Sequence, residues 1–78
     1  MKREEFINYI ECIGFVYLPL IDSYVYKELQ GVGEKYEICF ANFNYMFHNG
    51  IRWEVYEYGD IRALKKFTRS YKLKQILA

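Results

Sequence analysis

Basic side chains near the end of the sequence have the type and spacing to contact phosphates. Six of the eleven lysines and arginines lie in the last nineteen positions, where Asp60 is the one carboxylate. At 100° per residue, five of them fall within roughly a third of the circumference of a predicted helix. These five are Arg62, Lys65, Lys66, Arg69 and Lys72. Such a stripe can meet about three to five phosphates, although amphipathic helices also carry cations simply on their wet side.

Tyrosines at alternate positions of the predicted strands form a second candidate site for a partner. Together with one arginine, the expected outward-facing set is Tyr24, Tyr26, Arg52, Tyr56 and Tyr58. Such rings stack bases in single-strand binders and are enriched in protein interfaces. The glutamates interleaved with them repel a phosphate backbone, which favours a protein partner over nucleic acid. A third interpretation is that the rings pair across strands and cover a small sheet.

Residues for catalysis and metal binding are scarce. His48 is the only histidine, and Cys12 and Cys39 fall in apolar patterns that predict buried, reduced thiols. Gly31-Val32-Gly33 lacks the later glycine and lysine of a phosphate loop. The sequence therefore predicts no enzyme, no cofactor and no metal. The enzymatic alternative is that His48 acts in nuclease chemistry, and the commoner role is a polar loop residue before the Asn49-Gly50 turn.

The elements that must position these residues begin with a helix from about Lys2 to Ile13, where apolar residues recur at three- and four-residue steps. Gly14 is expected to end this helix, since glycine takes the left-handed conformation of a helix end. The segment from Phe15 to Ile21 is apolar but contains Pro19, which predicts an edge strand or a crossing segment.

Three strands are expected next. Ser23 to Leu29 alternates, and Gly31-Val32-Gly33 turns it into a second strand, Lys35 to Phe43. The stretch Asn42 to His48 either extends that strand or forms a longer loop. Asn49-Gly50, a strong turn signal, leads into the third strand.

The expected fold class is α+β with the order α-β-β-β-α in a single domain, residues 1–78. Both helices lie on one face of a three-stranded antiparallel sheet. In this register Ile51, Trp53 and Val55 face the helices, which leaves the tyrosine set on the open face.

The second helix is expected to begin at Asp60, whose carboxylate can cap the free amides of its first turn. The apolar register fails after Tyr71, which predicts a kink near Ser70, or an end and a restart there. An apolar tail turned away from the core is a candidate for homodimer contact; its residues are Leu73, Ile76 and Leu77.

No apolar run reaches the roughly 18 to 20 residues of a membrane span, and the charged start is unlike a secretory signal. A cytoplasmic protein without a membrane partner is therefore expected, in the host cytoplasm if the chain is phage-encoded.

The helix, three strands, helix order with Lys65-Lys66 in the last helix resembles the double-stranded RNA-binding fold and the HicA-type toxins built on it. Gly14-Phe15 after the opening helix and the closing run Leu73 to Leu77 are similar to those toxins. Asp22-Ser23-Tyr24 occupies the region where they place a catalytic histidine. The resemblance thus implies RNA binding without RNA cleavage.

Small, aromatic-rich α+β proteins of this type also resemble phage or mobile-element products that inhibit a host defence system. The leading expectation is a non-catalytic binding protein that occupies the surface of a protein partner through the tyrosine set and the basic stripe. The alternative is a nucleic-acid-binding module that uses the basic C-terminal helix.

Overall fold

The computed structural model describes residues 1–29 and 36–77, with side chains as far as residue 73. It contains two α-helices, five strands and one 3₁₀ turn. In chain order these are α1 (Arg3–Cys12), β1 (Phe15–Leu18), β2 (Ser23–Tyr26), the 3₁₀ turn (Lys27–Leu29), β3 (Tyr36–Phe40), β4 (Asn44–Asn49), β5 (Trp53–Glu57) and α2 (Arg62–Leu77). The turn expected at Gly31-Val32-Gly33 lies outside the described residues.

The strands form one antiparallel sheet in the order β1-β2-β3-β4-β5, each paired with its neighbour in sequence. The α+β class is confirmed, but the sheet has five strands, not three. One strand beyond the three is β1, which confirms the edge-strand alternative for Phe15 to Ile21 and completes its pairing with β2 before Pro19. The other is β4, which pairs with both β3 and β5 where the sequence predicted an extension or a loop.

Both helices cover the same face of this sheet, as expected. From α1, the Phe6 ring stacks on Tyr45 with centroids 4.2 Å apart. From α2, the Phe67 ring contacts Tyr36 at 4.5 Å and the edge of Tyr26 at 4.9 Å. The buried core between the layers consists of Phe6, Ile10, Phe15, Tyr24, Tyr26, Ile38, Tyr45, Phe47, Tyr58 and Leu64.

The expected facing of the strands is wrong. Trp53 and Val55 are 40% and 60% exposed on the face away from the helices, and Ile51 is 87% exposed in the β4–β5 turn. The tyrosines point into the core instead. The residues of β5 alternate regularly on both faces, so the sequence alone does not show which face is buried. Shifting the assignment by one residue moves every side chain to the opposite face of the sheet. A buried tyrosine also needs a partner for its hydroxyl, and Tyr58 finds one by donating to the Ala41 carbonyl at 2.9 Å.

The predicted end of α1 is confirmed, whereas the prediction for the C-terminal half of α2 needs correction. Gly14 ends α1 with φ +112°, as expected. The end and restart offered near Ser70 is wrong, because α2 is one helix from Arg62 to Leu77, while the alternative of a kink there stays a prediction. Leu73 is 56% exposed, while the side chains of Ile76 and Leu77 lie outside the described residues.

The two cysteines are free. Cys12 is exposed on α1, so its expected burial is wrong. Cys39 is half-buried in β3, with its Sγ 2.9 Å from Ser23 Oγ. Within the described part of the chain, neither helix combines the length and apolarity needed to cross a membrane.

Candidate functional site

The outer side of α2 carries a row of cations, as the sequence predicted. Lys65, Lys66, Arg69 and Lys72 are all exposed, and we call these four residues the basic ridge. Leu64, fully buried, anchors the opposite side of the helix. Because one turn of an α-helix takes 3.6 residues, the spacing that buries the apolar residues brings the four cations to one side.

Arg62, the fifth predicted member of the stripe, is engaged elsewhere. Its Nε and Nη2 donate to the two carboxylate oxygens of Asp60 at 3.0 and 3.1 Å. The hydrogen bond from Arg62 lowers the pKa of Asp60, and the same contact raises the pKa of Arg62. The pair lies at the start of α2, where Asp60 Oδ1 also accepts a long hydrogen bond from the Arg62 amide at 3.4 Å. The positive charge of Arg62 is therefore neutralised by the neighbouring carboxylate of Asp60.

Within the described side chains, the basic ridge has no such neutralisation. Among the side chains of residues 1–29 and 36–73, the ion pairs are Arg62 with Asp60 at 3.0 Å and Arg52 with Glu54 at 3.9 Å. No carboxylate of that part of the chain pairs with a ridge residue. The four positive charges are consequently available to an external anion.

A groove between the two helices runs beside the ridge. It encloses about 290 Å³ and is lined by Tyr9, Ile13, Lys65, Thr68, Arg69 and Lys72. The Thr68 hydroxyl donates to the Leu64 carbonyl at 2.8 Å, so toward the groove it offers only lone pairs. The Tyr9 hydroxyl is protonated at neutral pH, since an ordinary phenol has a pKa of about 10 and burial raises the pKa of Tyr9 further. The groove therefore combines cations with one phenol donor.

The predicted tyrosine set does not form a surface. Tyr24, Tyr26 and Tyr58 are 9%, 4% and 7% exposed, and Tyr56 is half-buried. Burial raises the pKa of Tyr24, Tyr26 and Tyr56. Arg52, the remaining member, is exposed beside Glu54. These rings cover the sheet and pair across its strands, which is the third of the sequence interpretations.

The side of the sheet away from the helices carries a different set of residues, among them Trp53 and Val55, which were expected to face the helices, and Cys39, which was expected to be buried. We call it the open face. By the strand register, its side chains are those of Val16, Leu18, Ser23, Val25, Glu37, Cys39, Asn44, Met46, His48, Trp53, Val55 and Glu57. The signal that could have revealed it is Glu57, whose charge shares a face with Trp53 and Val55 in β5.

His48 lies in strand β4 and not in a loop. Its Nδ1 accepts a hydrogen bond from the Gly50 amide at 3.2 Å, and its ring meets the Trp53 ring edge-on with centroids 5.2 Å apart. The imidazole thus supports the β4–β5 turn. In the described part of the chain, no three His, Cys, Asp or Glu residues come together as metal ligands.

The ridge and groove are therefore the features of the described residues that combine exposure with concentrated charge. Comparison with known proteins does not identify a family for this chain. No protein-family model, no curated protein and no solved structure matches the chain.

Proposed function

We propose that this protein binds the phosphate backbone of a structured nucleic acid through the basic ridge on α2. The observation that carries the proposal is the set of four exposed cations, unpaired with any described carboxylate, on one continuous helix of a chain whose net charge is only +1. Such a concentration of charge is the electrostatic footprint of nucleic-acid binding.

A duplex fits the ridge better than a single strand. Lys65 and Lys72 lie seven residues apart, about 10 Å along the axis of an α-helix. Duplex DNA presents one phosphate per roughly 1.7 Å of its axis, so several phosphates come within reach of a ridge of that length. Single-strand binders add stacking on exposed rings, and the tyrosines expected to supply that stacking lie in the core.

The leading expectation from the sequence, occupation of a protein surface, relied on those same tyrosines. Their burial removes its main support, while the ridge keeps the exposure that the alternative requires. The resemblance to double-stranded RNA-binding folds agrees with the proposal but stays a prediction, as does the likeness to phage inhibitors.

The test is the salt dependence of duplex binding, measured by fluorescence anisotropy with labelled duplex RNA and DNA. Four phosphate contacts give a slope of log K against log salt of about −3.6, and hence a loss of roughly 150-fold between 50 and 200 mM salt. Lys65→Gln/Arg69→Gln should reduce the slope to about −1.8.

The matched control is Lys2→Gln/Lys27→Gln, which removes two exposed cations outside the ridge. Its slope should stay at the wild-type value. Absence of wild-type binding at 50 mM salt would reject the proposal. Equal losses in the two double variants would also reject it, because they would indicate net charge and not a ridge.

A further inference from the structure

Strand β5 is a free edge of the sheet. Among the strands of residues 1–29 and 36–77, its hydrogen-bonded neighbour is β4 alone. Natural edge strands are protected against pairing with other chains by lysine, proline or bulges, and the sequence from Trp53 to Glu57 contains no lysine and no proline. Trp53 and Val55 are 40% and 60% exposed, and Glu57 is exposed as well. The edge is therefore accessible to another strand.

The backbone groups that point outward from β5 follow from its register. The Asn49 amide donates to the Arg52 carbonyl at 3.1 Å, which marks these two residues as a hydrogen-bonded pair. Hydrogen-bonded and non-hydrogen-bonded pairs alternate along an antiparallel ladder. Glu54 and Tyr56 consequently bond to β4, and the intervening residues direct their amides and carbonyls to the free edge.

We propose that β5 pairs with β5 of a second copy of this chain, antiparallel, about a two-fold axis at Val55. Val55 then lies opposite Val55, and Trp53 lies opposite Glu57 of the other copy. The outward groups of these residues make about six backbone hydrogen bonds. The result is one sheet of ten strands.

The charges on the strand select this register. Glu54 lies opposite the uncharged Tyr56 of the other copy, so no like charges meet directly there. Displacing one strand by two residues toward the turn would place Glu54 opposite Glu54, and like charges directly opposite are destabilising. Either two-residue displacement also loses two of the backbone hydrogen bonds. The register with the most hydrogen bonds is thus also free of acid–acid contact.

An exposed side chain and a cleft are brought together by the same register. A cleft of about 400 Å³ at the end of β5 is lined by Met1, Phe43, Asn44, Glu57, Tyr58 and Gly59. Ile51, 87% exposed in the β4–β5 turn, comes opposite Gly59 of the second copy. A Cβ placed on Gly59 would meet a single atom within 4 Å, the Met1 nitrogen at 3.9 Å, so there is space. Each Ile51 fills the cleft of the other copy.

Sedimentation equilibrium between 10 µM and 1 mM protein, roughly the range for a weak interface of this small class, tests the pairing. Wild type should approach twice the 9.5 kDa chain mass at the upper concentration. Val55→Pro should remain at the monomer mass, because the amide that it removes points to the free edge and proline is tolerated there. Ile51→Asp should raise the dissociation constant at least tenfold.

Leu20→Asp is the matched control, since Leu20 is completely exposed but lies in the β1–β2 turn. It should associate like wild type. If Val55→Pro alters the circular dichroism spectrum, Val55→Lys replaces it as the test variant. In a dimer of Val55→Lys, two lysines would face each other across the axis, and like charges directly opposite are destabilising. A wild-type monomer at 1 mM would overturn the proposal. So would a folded Val55 variant that still dimerises, and so would dissociation by Leu73→Asp alone, which would place the contact in the C-terminal tail.

Discussion

At the residue scale, Tyr45 shows how this core accommodates so many phenols. Its side chain is fully buried, and its hydroxyl donates to the backbone carbonyl of Asp60, which joins β4 to the start of α2. Burial raises its pKa well above the ordinary value of about 10, because a phenolate in this position would lose its hydration. The ring therefore stays neutral in the folded protein at any physiological pH.

The free energy of unfolding at alkaline pH should depend directly on the burial of Tyr45. Above about pH 10 the unfolded chain releases the Tyr45 proton while the folded chain retains it, so the free energy of unfolding falls by about 1.4 kcal/mol per pH unit for this residue. The contribution is complete below pH 10 and is lost as pH rises toward the raised pKa of the folded state. Urea denaturation between pH 9 and 11 should show a shallower decline for Tyr45→Phe than for wild type.

Tyr9→Phe is a useful comparison, because burial raises the pKa of this half-exposed phenol as well but to a smaller extent. Tyr9→Phe should change the slope of the unfolding free energy against pH less than Tyr45→Phe does. Identical slopes for wild type and Tyr45→Phe would show that this hydroxyl titrates as readily in the folded chain as in the unfolded one.

The sequence was informative about individual residues where spacing alone decides their position. The basic ridge could be predicted, because three- and four-residue steps on a helix fix which side chains share a side. The pairing of Arg62 with Asp60 could not, since two residues that close at a helix start can point apart or together. The tyrosines were misplaced because their rings are apolar enough for the core while their hydroxyls suggest the surface.

At the element scale, the end of α1 depends on one glycine. Gly14 has φ +112°, a conformation that costs other residues roughly 1 to 2 kcal/mol. A Cβ at this position would also lie 3.1 Å from the Tyr26 ring. Gly14→Ala should therefore reduce the free energy of unfolding by at least that amount, measured by thermal or urea denaturation.

Gly59→Ala provides the contrast for that measurement. Gly59 has no positive φ, and its nearest neighbour in the direction of a Cβ is 3.9 Å away. The substitution should change the unfolding free energy by less than about 0.5 kcal/mol. Comparable losses at the two glycines would contradict the assignment of conformational strain to the helix end alone.

The sheet was harder to predict than the helices. Because of Pro19 the sequence left an edge strand and a crossing segment open for Phe15 to Ile21, and the structure confirms the edge strand, since Pro19 follows the last paired residue of β1. Asn42 to His48 has aromatic rings at every second position, Phe43, Tyr45 and Phe47, but this alternation does not show where one strand ends and the next begins. β4 is a separate strand from Asn44 because β3 and β5 supply hydrogen-bonding partners on both sides. Strand pairing is a tertiary property, whereas a helix satisfies its backbone within its own segment.

At the scale of the whole molecule, the sheet separates two surfaces of different character. The helix side carries the basic ridge, and the free edge of β5 extends the sheet sideways without covering that ridge. If β5 joins two copies about an axis perpendicular to the sheet, both α2 helices lie on the same side. Phe67 of α2 contacts rings from β1, β2, β3 and β4, so each helix lies over the middle of its own sheet. With strands about 4.8 Å apart, the two ridges are roughly 30 Å from each other.

Two ridges at that separation should bind a long duplex with avidity, and this prediction rests on both proposals. A duplex of about 40 base pairs can reach both ridges, whereas a hairpin with a stem of about six base pairs, roughly 20 Å long, reaches one. Val55→Pro should weaken binding of the long duplex at least tenfold and leave hairpin binding unchanged, measured by anisotropy at one salt concentration. Equal affinities of variant and wild type for the long duplex would separate nucleic-acid binding from dimerisation. Absence of binding to either probe would instead remove the ridge as a phosphate-binding surface, whatever the oligomeric state of the protein.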